Sequence, residues 1–144
     1  MTVLPDTGYT PTADDLASVE KWFADYDAAS GRRDIERMAD MAVFPLNLVS
    51  DDSAGCGASA QWDRQQYIET MIQVLGDGEE DISFESTRTP VFLSPAMVIV
   101  FSDSTMTMEG HTQQLRYADV LIRREDGEWA FQSMLQGGWG DRLR

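Results

Sequence analysis

The chain has very little of the chemistry that metal sites and covalent catalysis usually need. Its 144 residues contain one cysteine, Cys56, and one histidine, His111. A single cysteine excludes an internal disulfide, and with one distant histidine it supports neither a zinc site nor a Ser-His-Asp triad. We therefore expect a protein that works without a metal ion or an organic cofactor.

Positive charge is also scarce. Eleven Lys and Arg residues face 25 Asp and Glu residues, which gives a formal net charge of -14. Nucleic acids and anionic membranes attract basic surfaces, so we expect neither as a partner. The chain has no run of about 18 apolar residues, and its N-terminus lacks the basic start and apolar segment of a signal peptide. Together with the cysteine count, these absences predict a cytoplasmic protein.

The composition that is present is that of one ordinary globular domain. Hydrophobic residues make up 42% and charged residues 25% of a chain long enough to bury one core. Two prolines and a glycine without periodicity indicate a flexible N-terminal arm over residues 1–11. The domain is expected to occupy residues 12–139, and a short C-terminal tail follows at 140–144.

Three helices are predicted in the first half of the chain. Thr12 and Asp63 each precede an apolar stripe at helical spacing, and each has an Asp or Gln three residues later, as in a capping box. Glycines are expected to end these two helices, at Gly31 and Gly76. A shorter helix fits residues 33–42 between them.

Strand patterns dominate the second half. One early strand is predicted at 43–50, where Pro45 indicates an edge or an irregular start. Four longer strands then follow one another closely enough to form an antiparallel meander. Helices that cover one face of such a sheet define an α+β fold. The longer strands are predicted at 82–93, 97–110, 113–123 and 128–136.

Two loops separate these elements. Residues 51–61, DDSAGCGASAQ, are small and polar, which favours a loop without specific chemistry over a mobile flap above a site. Cys56 lies in this loop without a neighbouring His or Lys, so a nucleophile there is weakly supported. The acidic stretch 76–81 is interpreted as a solvated turn, because the ordered ligand spacing of a calcium loop is absent.

Asp119 is the main anomaly of the sequence. It lies on a strand that is apolar on both faces, with Tyr117 and Leu121 as neighbours on its own face. Two interpretations are open: a structural carboxylate held by Tyr or Arg, or a pocket acid whose pKa is raised by burial. An ion pair with Arg88 or Arg116 would keep the carboxylate charged and exclude the second interpretation.

Two short motifs are the strand sequence Tyr117-Ala118-Asp119 and the turn sequence Asp126-Gly127-Glu128-Trp129. Together with the order of elements over about residues 13–136, they resemble the nuclear transport factor 2-like superfamily. The resemblance implies a cone-shaped, strongly bent antiparallel sheet of four main strands plus a short early strand, covered by three N-terminal helices. That superfamily includes isomerases, polyketide cyclases, dehydratases and non-catalytic association domains, so the fold does not decide the function.

The spacing of Gly110, Asp119 and Gly127 resembles that of ketosteroid isomerases within the superfamily. Tyr26, near the end of the first helix, resembles the tyrosine of that family. The resemblance implies that Tyr26 and a neutral Asp119 donate hydrogen bonds to one ligand oxygen. The position that resembles the family's general base is Asn47, whose amide cannot remove a proton.

These observations predict a pocket for a small apolar or aromatic ligand. Any activity would be a cofactor-free enolisation, cyclisation or dehydration of a carbonyl compound, and the alternative is a non-catalytic binding or homo-oligomerisation module. Either way, we expect a homodimer through the outer sheet face, where Val120 and Ile122 lie. The predicted catalytic residues are Tyr26 and Asp119. The predicted ligand contacts are Asn47, Tyr117 and Gln132, with Met41, Met71, Met106 and Met134 as apolar wall.

Two of these assignments have a plain alternative. A tyrosine on an apolar stripe, such as Tyr26 or Tyr117, is commonly a core residue whose hydroxyl is satisfied at the edge of the core. Gln132 and Gln136 are predicted to share one face of the last strand with Met134. They would line a polar pocket wall if that face is covered, and they would face solvent if it is not.

Overall fold

The computed structural model describes residues 6–76 and 83–143 and confirms the α+β fold class. Three helices and a six-stranded sheet make up this part of the chain. Residues 1–5, 77–82 and 144 lie outside the described residues, and they include all but Gly76 of the predicted acidic turn at 76–81. In chain order the elements are α1 (Ala13–Gly31), α2 (Ile35–Asp40), β1 (Ala42–Asp51), β2 (Gly57–Trp62), α3 (Arg64–Leu75), β3 (Ser83–Ser94), β4 (Met97–Met108), β5 (His111–Arg123), β6 (Trp129–Gln136) and a 3₁₀ turn (Gly140–Leu143).

The sheet differs from the prediction in two ways: it contains an additional strand, β2, and one of its strand pairs is parallel. Its order is β2-β1-β6-β5-β4-β3, and β3 to β6 form the predicted antiparallel meander. However, β1 runs parallel to β6, so the sheet is mixed and not purely antiparallel. The early strand is therefore an interior strand with a partner on each side.

The second strand corrects the prediction of a loop at 51–61. Residues 57–62 pair antiparallel with residues 46–51 of β1. Small polar residues have weak strand propensity, which is why the sequence predicts a loop. The pairing with β1 satisfies backbone NH and carbonyl groups, and side-chain patterns do not indicate such pairing. Tertiary pairing thus overrides local composition here, and only residues 52–56 remain as the turn.

The helix boundaries follow the predicted capping signals. The Thr12 hydroxyl accepts a hydrogen bond from the backbone NH of Asp15, and the Asp15 carboxylate accepts one from the NH of Thr12. Asp63 and Gln66 form the equivalent box at α3. The short second helix is four residues shorter than predicted, because its cap is Asp34 and it ends at Asp40.

Two glycines make the turns that flank β5. Gly110 and Gly127 have φ values of 78° and 88°, in the left-handed region that favours glycine. The second turn contains the Asp-Gly pair typical of hairpins and joins two of the predicted strands, and Arg124 and Glu128 close it with a backbone hydrogen bond. These turns determine which residues of β4 and β6 lie beside Asp119.

The core lies between the helices and one face of the sheet. Trp22 and Tyr26 of α1 pack edge-on against Phe131 of β6, with ring centroids 4.7 and 4.9 Å apart. From α3, Tyr67 is fully buried against the same layer. This packing leaves the opposite face of the meander without a covering element in the described chain.

Residues 6–11 lie against the domain. The Thr7 hydroxyl donates to the carbonyl of Phe92, and the Tyr9 hydroxyl donates to the Asp15 carboxylate. None of the helices in the described ranges is long and apolar enough to cross a membrane.

Candidate functional site

A cavity of about 140 Å³, partly open to solvent, lies between the inner face of the sheet and helices α1 and α3. Apolar side chains from both layers form most of its wall. Tyr26, Asp27, Tyr117, Asp119 and Gln136 provide its polar groups. The apolar wall includes Phe23, Met71, Val74, Leu115, Phe131 and Met134.

The cavity brings together five of the nine predicted site residues. They come from four elements: Tyr26 from α1, Met71 from α3, Tyr117 and Asp119 from β5, and Met134 from β6. The two β5 residues share a face because they are two positions apart on one strand. Met134 joins them because it pairs directly with Asp119.

The structure does not bring Asn47 or Gln132 to the cavity. On β1, Leu46 and Leu48 point into the core, so Asn47 between them lies on the outer face. Its amide oxygen there accepts a hydrogen bond from Gln61 on β2, at 2.9 Å. The position that resembles a general base therefore faces away from the candidate site.

Gln132 is displaced by a β-bulge. The register between β5 and β6 shifts between Val120 and Leu121, so Gln132 is the extra residue of β6. Its amide oxygen accepts a hydrogen bond from the neighbouring Ser133 hydroxyl at 2.7 Å. The bulge interrupts the alternation that grouped Gln132 with Met134, and Gln136 alone of the two glutamines lines the cavity.

Two of the predicted methionines also lie elsewhere. Met41 is a buried core residue at the end of α2, away from the cavity wall. Met106 of β4 pairs with Phe84, which lines the cavity, but Met106 does not line it. Helical and strand spacing identified these residues as inward-facing without indicating how far along the sheet the cavity extends.

Asp119 is buried without a direct partner. Its exposed fraction is 4%, and its carboxyl group makes no hydrogen bond or ion pair within the described residues. Burial raises its pKa to about 7, while the positive charge of Arg88 acts in the opposite direction. Near neutral pH the group is therefore poised between a hydrogen-bond donor and a carboxylate.

The two arginines that were candidates to pair with Asp119 have other partners. Arg88 makes a bidentate ion pair with Asp27 on α1, with N–O distances of 2.7 and 2.8 Å. Arg116 lies on the outer face and approaches Asp103 at 3.6 Å. These contacts favour the interpretation of Asp119 as a pocket acid.

Two tyrosines lie near Asp119: Tyr26 at the cavity wall and Tyr67 in the core behind it. Burial raises the pKa of Tyr26 well above its usual value, and the nearby Tyr67 and Asp119 raise it further. Burial also raises the pKa of Tyr67, whose hydroxyl is buried and has no hydrogen-bond partner among the described residues. Helical spacing predicts only that Tyr67 belongs to the buried stripe of α3, because nothing local to it indicates that its hydroxyl lies near Tyr26 and Asp119.

Tyr117 is held by a chain of hydroxyl groups. Its oxygen lies 3.0 Å from the Ser104 hydroxyl, which lies 2.6 Å from that of Ser86. The three residues sit on neighbouring strands β5, β4 and β3, and Ser104 is fully buried. The phenol is therefore fixed in position at the cavity wall.

The site contains no arrangement typical of a resident metal. Within residues 6–76 and 83–143, no three His, Cys, Asp or Glu side chains are close enough together to hold a metal ion. The cavity offers hydrogen bonding by Asp119 and the tyrosines, and proton exchange near neutral pH at Asp119.

The chain is thus an α+β protein with a cavity between its helices and its sheet. This architecture is the nuclear transport factor 2-like fold, also described as cystatin-like, and solved structures with that fold align along most of the chain. No protein-family model matches the sequence. No characterised protein matches it by sequence either.

Three solved structures illustrate the likeness. A nuclear transport factor 2-like protein of unknown function from Pseudomonas putida has a TM-score of 0.71 at 11% identity, with 89% of each chain covered. A ketosteroid isomerase-like protein from Erwinia carotovora atroseptica has a TM-score of 0.61 at 19% identity, covering 88% of this chain and 97% of its own. A candidate scytalone dehydratase from Novosphingobium aromaticivorans has the same TM-score and identity, with 86% of each chain covered.

Proposed function

We propose that the protein binds a small, mostly apolar or aromatic molecule in this cavity. Tyr26 and the protonated form of Asp119 donate hydrogen bonds to one oxygen of the ligand. The observation that carries the proposal is the carboxyl group of Asp119, which is buried at the cavity wall without an ion pair. A buried carboxyl without a partner is costly, and a ligand oxygen would satisfy it.

The same pair of donors suits a reaction that develops negative charge on a carbonyl oxygen. Enolisation, cyclisation and dehydration of carbonyl compounds all do so, and fixed donors in a dry site stabilise such charge. Isomerase-like and dehydratase-like proteins among the structural neighbours support this class of chemistry. Since Asn47 faces outward, the base would have to come from another group, and the other carboxylate at the described cavity wall, Asp27, is engaged by Arg88.

The first test is a carbon NMR titration of the Asp119 carboxyl group. We expect a pKa near 7, far above the value of about 3.9 for a free aspartate, because burial penalises the charged form. A value at or below that of the free residue would mean a solvated or ion-paired carboxylate and would remove the proposed donor.

The second test measures the binding of 4-methylphenol by calorimetry at pH 6. We expect Tyr26→Phe to weaken binding by about fivefold to tenfold, the effect of one lost hydrogen bond to a buried ligand oxygen. Tyr9→Phe is the matched control, because Tyr9 bonds to Asp15 outside the cavity. Equal losses in both variants would contradict the proposal.

A second candidate role is association between copies of the chain. On the outer face of the meander, Phe101 and Met97 are 48% and 44% exposed. Val120 and Ile122 lie beside them on the next strand, since Met97 pairs with Ile122. A continuous apolar face of this kind favours a homodimer, either as the function itself or as the form in which the cavity operates.

A further inference from the structure

The polar groups of the cavity lie at two positions along β5, which we call two levels: that of Asp119 and that of Tyr117. Asp119 and Tyr117 are two residues apart on β5, a separation of about 7 Å along the strand. On β6, Met134 pairs with Asp119 and Gln136 pairs with Tyr117. All four side chains line the cavity, so a second polar pair lies one level away from Asp119.

The second pair is prepared to bind a ligand. The Tyr117 hydroxyl is held at 3.0 Å by Ser104, so it is fixed before a ligand arrives. The amide of Gln136 makes no hydrogen bond with any residue of the described chain, although it is half-buried at the cavity wall. A fixed hydroxyl and an available amide on directly paired positions can bind one oxygen atom from two sides.

The size of the cavity limits what lies between the two levels. A dry apolar cavity of about 150 Å³ accommodates a benzene-sized molecule. The volume here is about 140 Å³, and Phe131 and Leu115 supply flat and branched apolar walls. One six-membered ring fills this space, whereas the pockets of drug-sized ligands occupy about 300 Å³ or more.

We propose that the cavity is built for a single six-membered ring with oxygen substituents on opposite sides. Tyr26 and Asp119 bind one oxygen, and Tyr117 and Gln136 bind the other. This inference rests on the proposed function and narrows its ligand to a class, since a ring with one oxygen would leave the second pair unsatisfied.

The test compares two ligands of equal size, 4-methylphenol and hydroquinone, by calorimetry at pH 6 under anaerobic conditions. They differ only in a methyl group replaced by a hydroxyl group. Burying a hydroxyl against an apolar wall weakens binding, whereas a hydroxyl that meets a donor and an acceptor strengthens it. We expect hydroquinone to bind about tenfold more tightly than 4-methylphenol.

Two variants then assign the preference to the second pair. Tyr117→Phe and Gln136→Met, alone and together, should reduce the ratio of the two affinities and reverse it in the double variant. The affinity for 4-methylphenol itself should rise in these variants, because its methyl group then meets apolar side chains and not an unsatisfied polar pair. A general loss of structure would lower the affinity for both ligands. Gln132→Met is the matched control, because Gln132 lies on the same strand but outside the cavity, and it should leave the ratio unchanged.

The outcomes separate this inference from the function on which it rests. Tighter binding of 4-methylphenol than of hydroquinone to the unmodified protein would overturn the inference and leave the single-oxygen site intact. An unchanged ratio in the double variant would also overturn it. If neither compound binds at millimolar concentration, both the inference and the proposed function fail.

Discussion

At the scale of single residues, the carboxyl group of Asp119 makes the stability of the fold depend on pH. Its pKa is about 7 in the folded protein and about 3.9 in the unfolded chain, so the folded state holds the extra proton between these values. Stability therefore falls as pH rises from about 4 through 7 and is level above that range. Asp119→Asn removes this dependence, because the amide does not ionise.

Urea unfolding of Asp119→Asn and the unmodified protein at pH 4 and pH 8 measures this effect. We expect the unfolding free energy of the variant, relative to that of the unmodified protein, to be higher at pH 8 than at pH 4 by up to about 4 kcal/mol. Asp103→Asn, an exposed carboxylate on the outer face of β4, should show no such shift. Parallel pH profiles for Asp119→Asn and the unmodified protein would contradict the assigned pKa.

At the scale of elements, the ion pair between Arg88 and Asp27 joins the edge strand β3 to α1 and also tunes Asp119. The positive charge of Arg88 lowers the pKa of Asp119 against the larger effect of burial. Arg88→Met should therefore raise this pKa further, as measured by carbon NMR. Arg116→Met is the control on the outer face, and a lowered Asp119 pKa in Arg88→Met would disprove the coupling.

At the scale of the whole molecule, the exposed apolar face of the meander predicts self-association. Phe101→Asp places a charge at the centre of that face, beside Ala118, and should convert a dimer into a monomer. Light scattering with size-exclusion chromatography measures the mass. A monomeric unmodified protein would exclude the homodimer, and Ile72→Asp on the exposed side of α3 is the control substitution.

The fold could be predicted from the sequence to a large extent because its signals are local. Capping boxes at Thr12 and Asp63 begin two helices where expected, and Gly127 turns the last hairpin. Each of these signals acts through hydrogen bonds or backbone angles within a few residues. By contrast, β2 depends on its pairing with β1, and its small polar residues predicted a loop.

The candidate site could be predicted only in part, for a similar reason. Strand alternation placed Asp119 and Tyr117 on one face, which the structure confirms. The same alternation failed for Gln132, because the bulge opposite Val120 and Leu121 cannot be read from either strand alone. The environment of Tyr67 could not be predicted either, since only the structure shows that its buried hydroxyl has no hydrogen-bond partner among the described residues.

The sequence by itself determined the α+β class, the starts of α1 and α3, the β5–β6 turn and the shared face of Asp119 and Tyr117. These features depend on residues that are neighbours in the chain. The tertiary structure decided that Arg88 pairs with Asp27 and that Asp119 is buried without an ion pair, which raises its pKa. It also decided where the cavity lies. Burial and charge pairing depend on residues that are distant in the chain, as Asp27 and Arg88 are, at 61 positions apart.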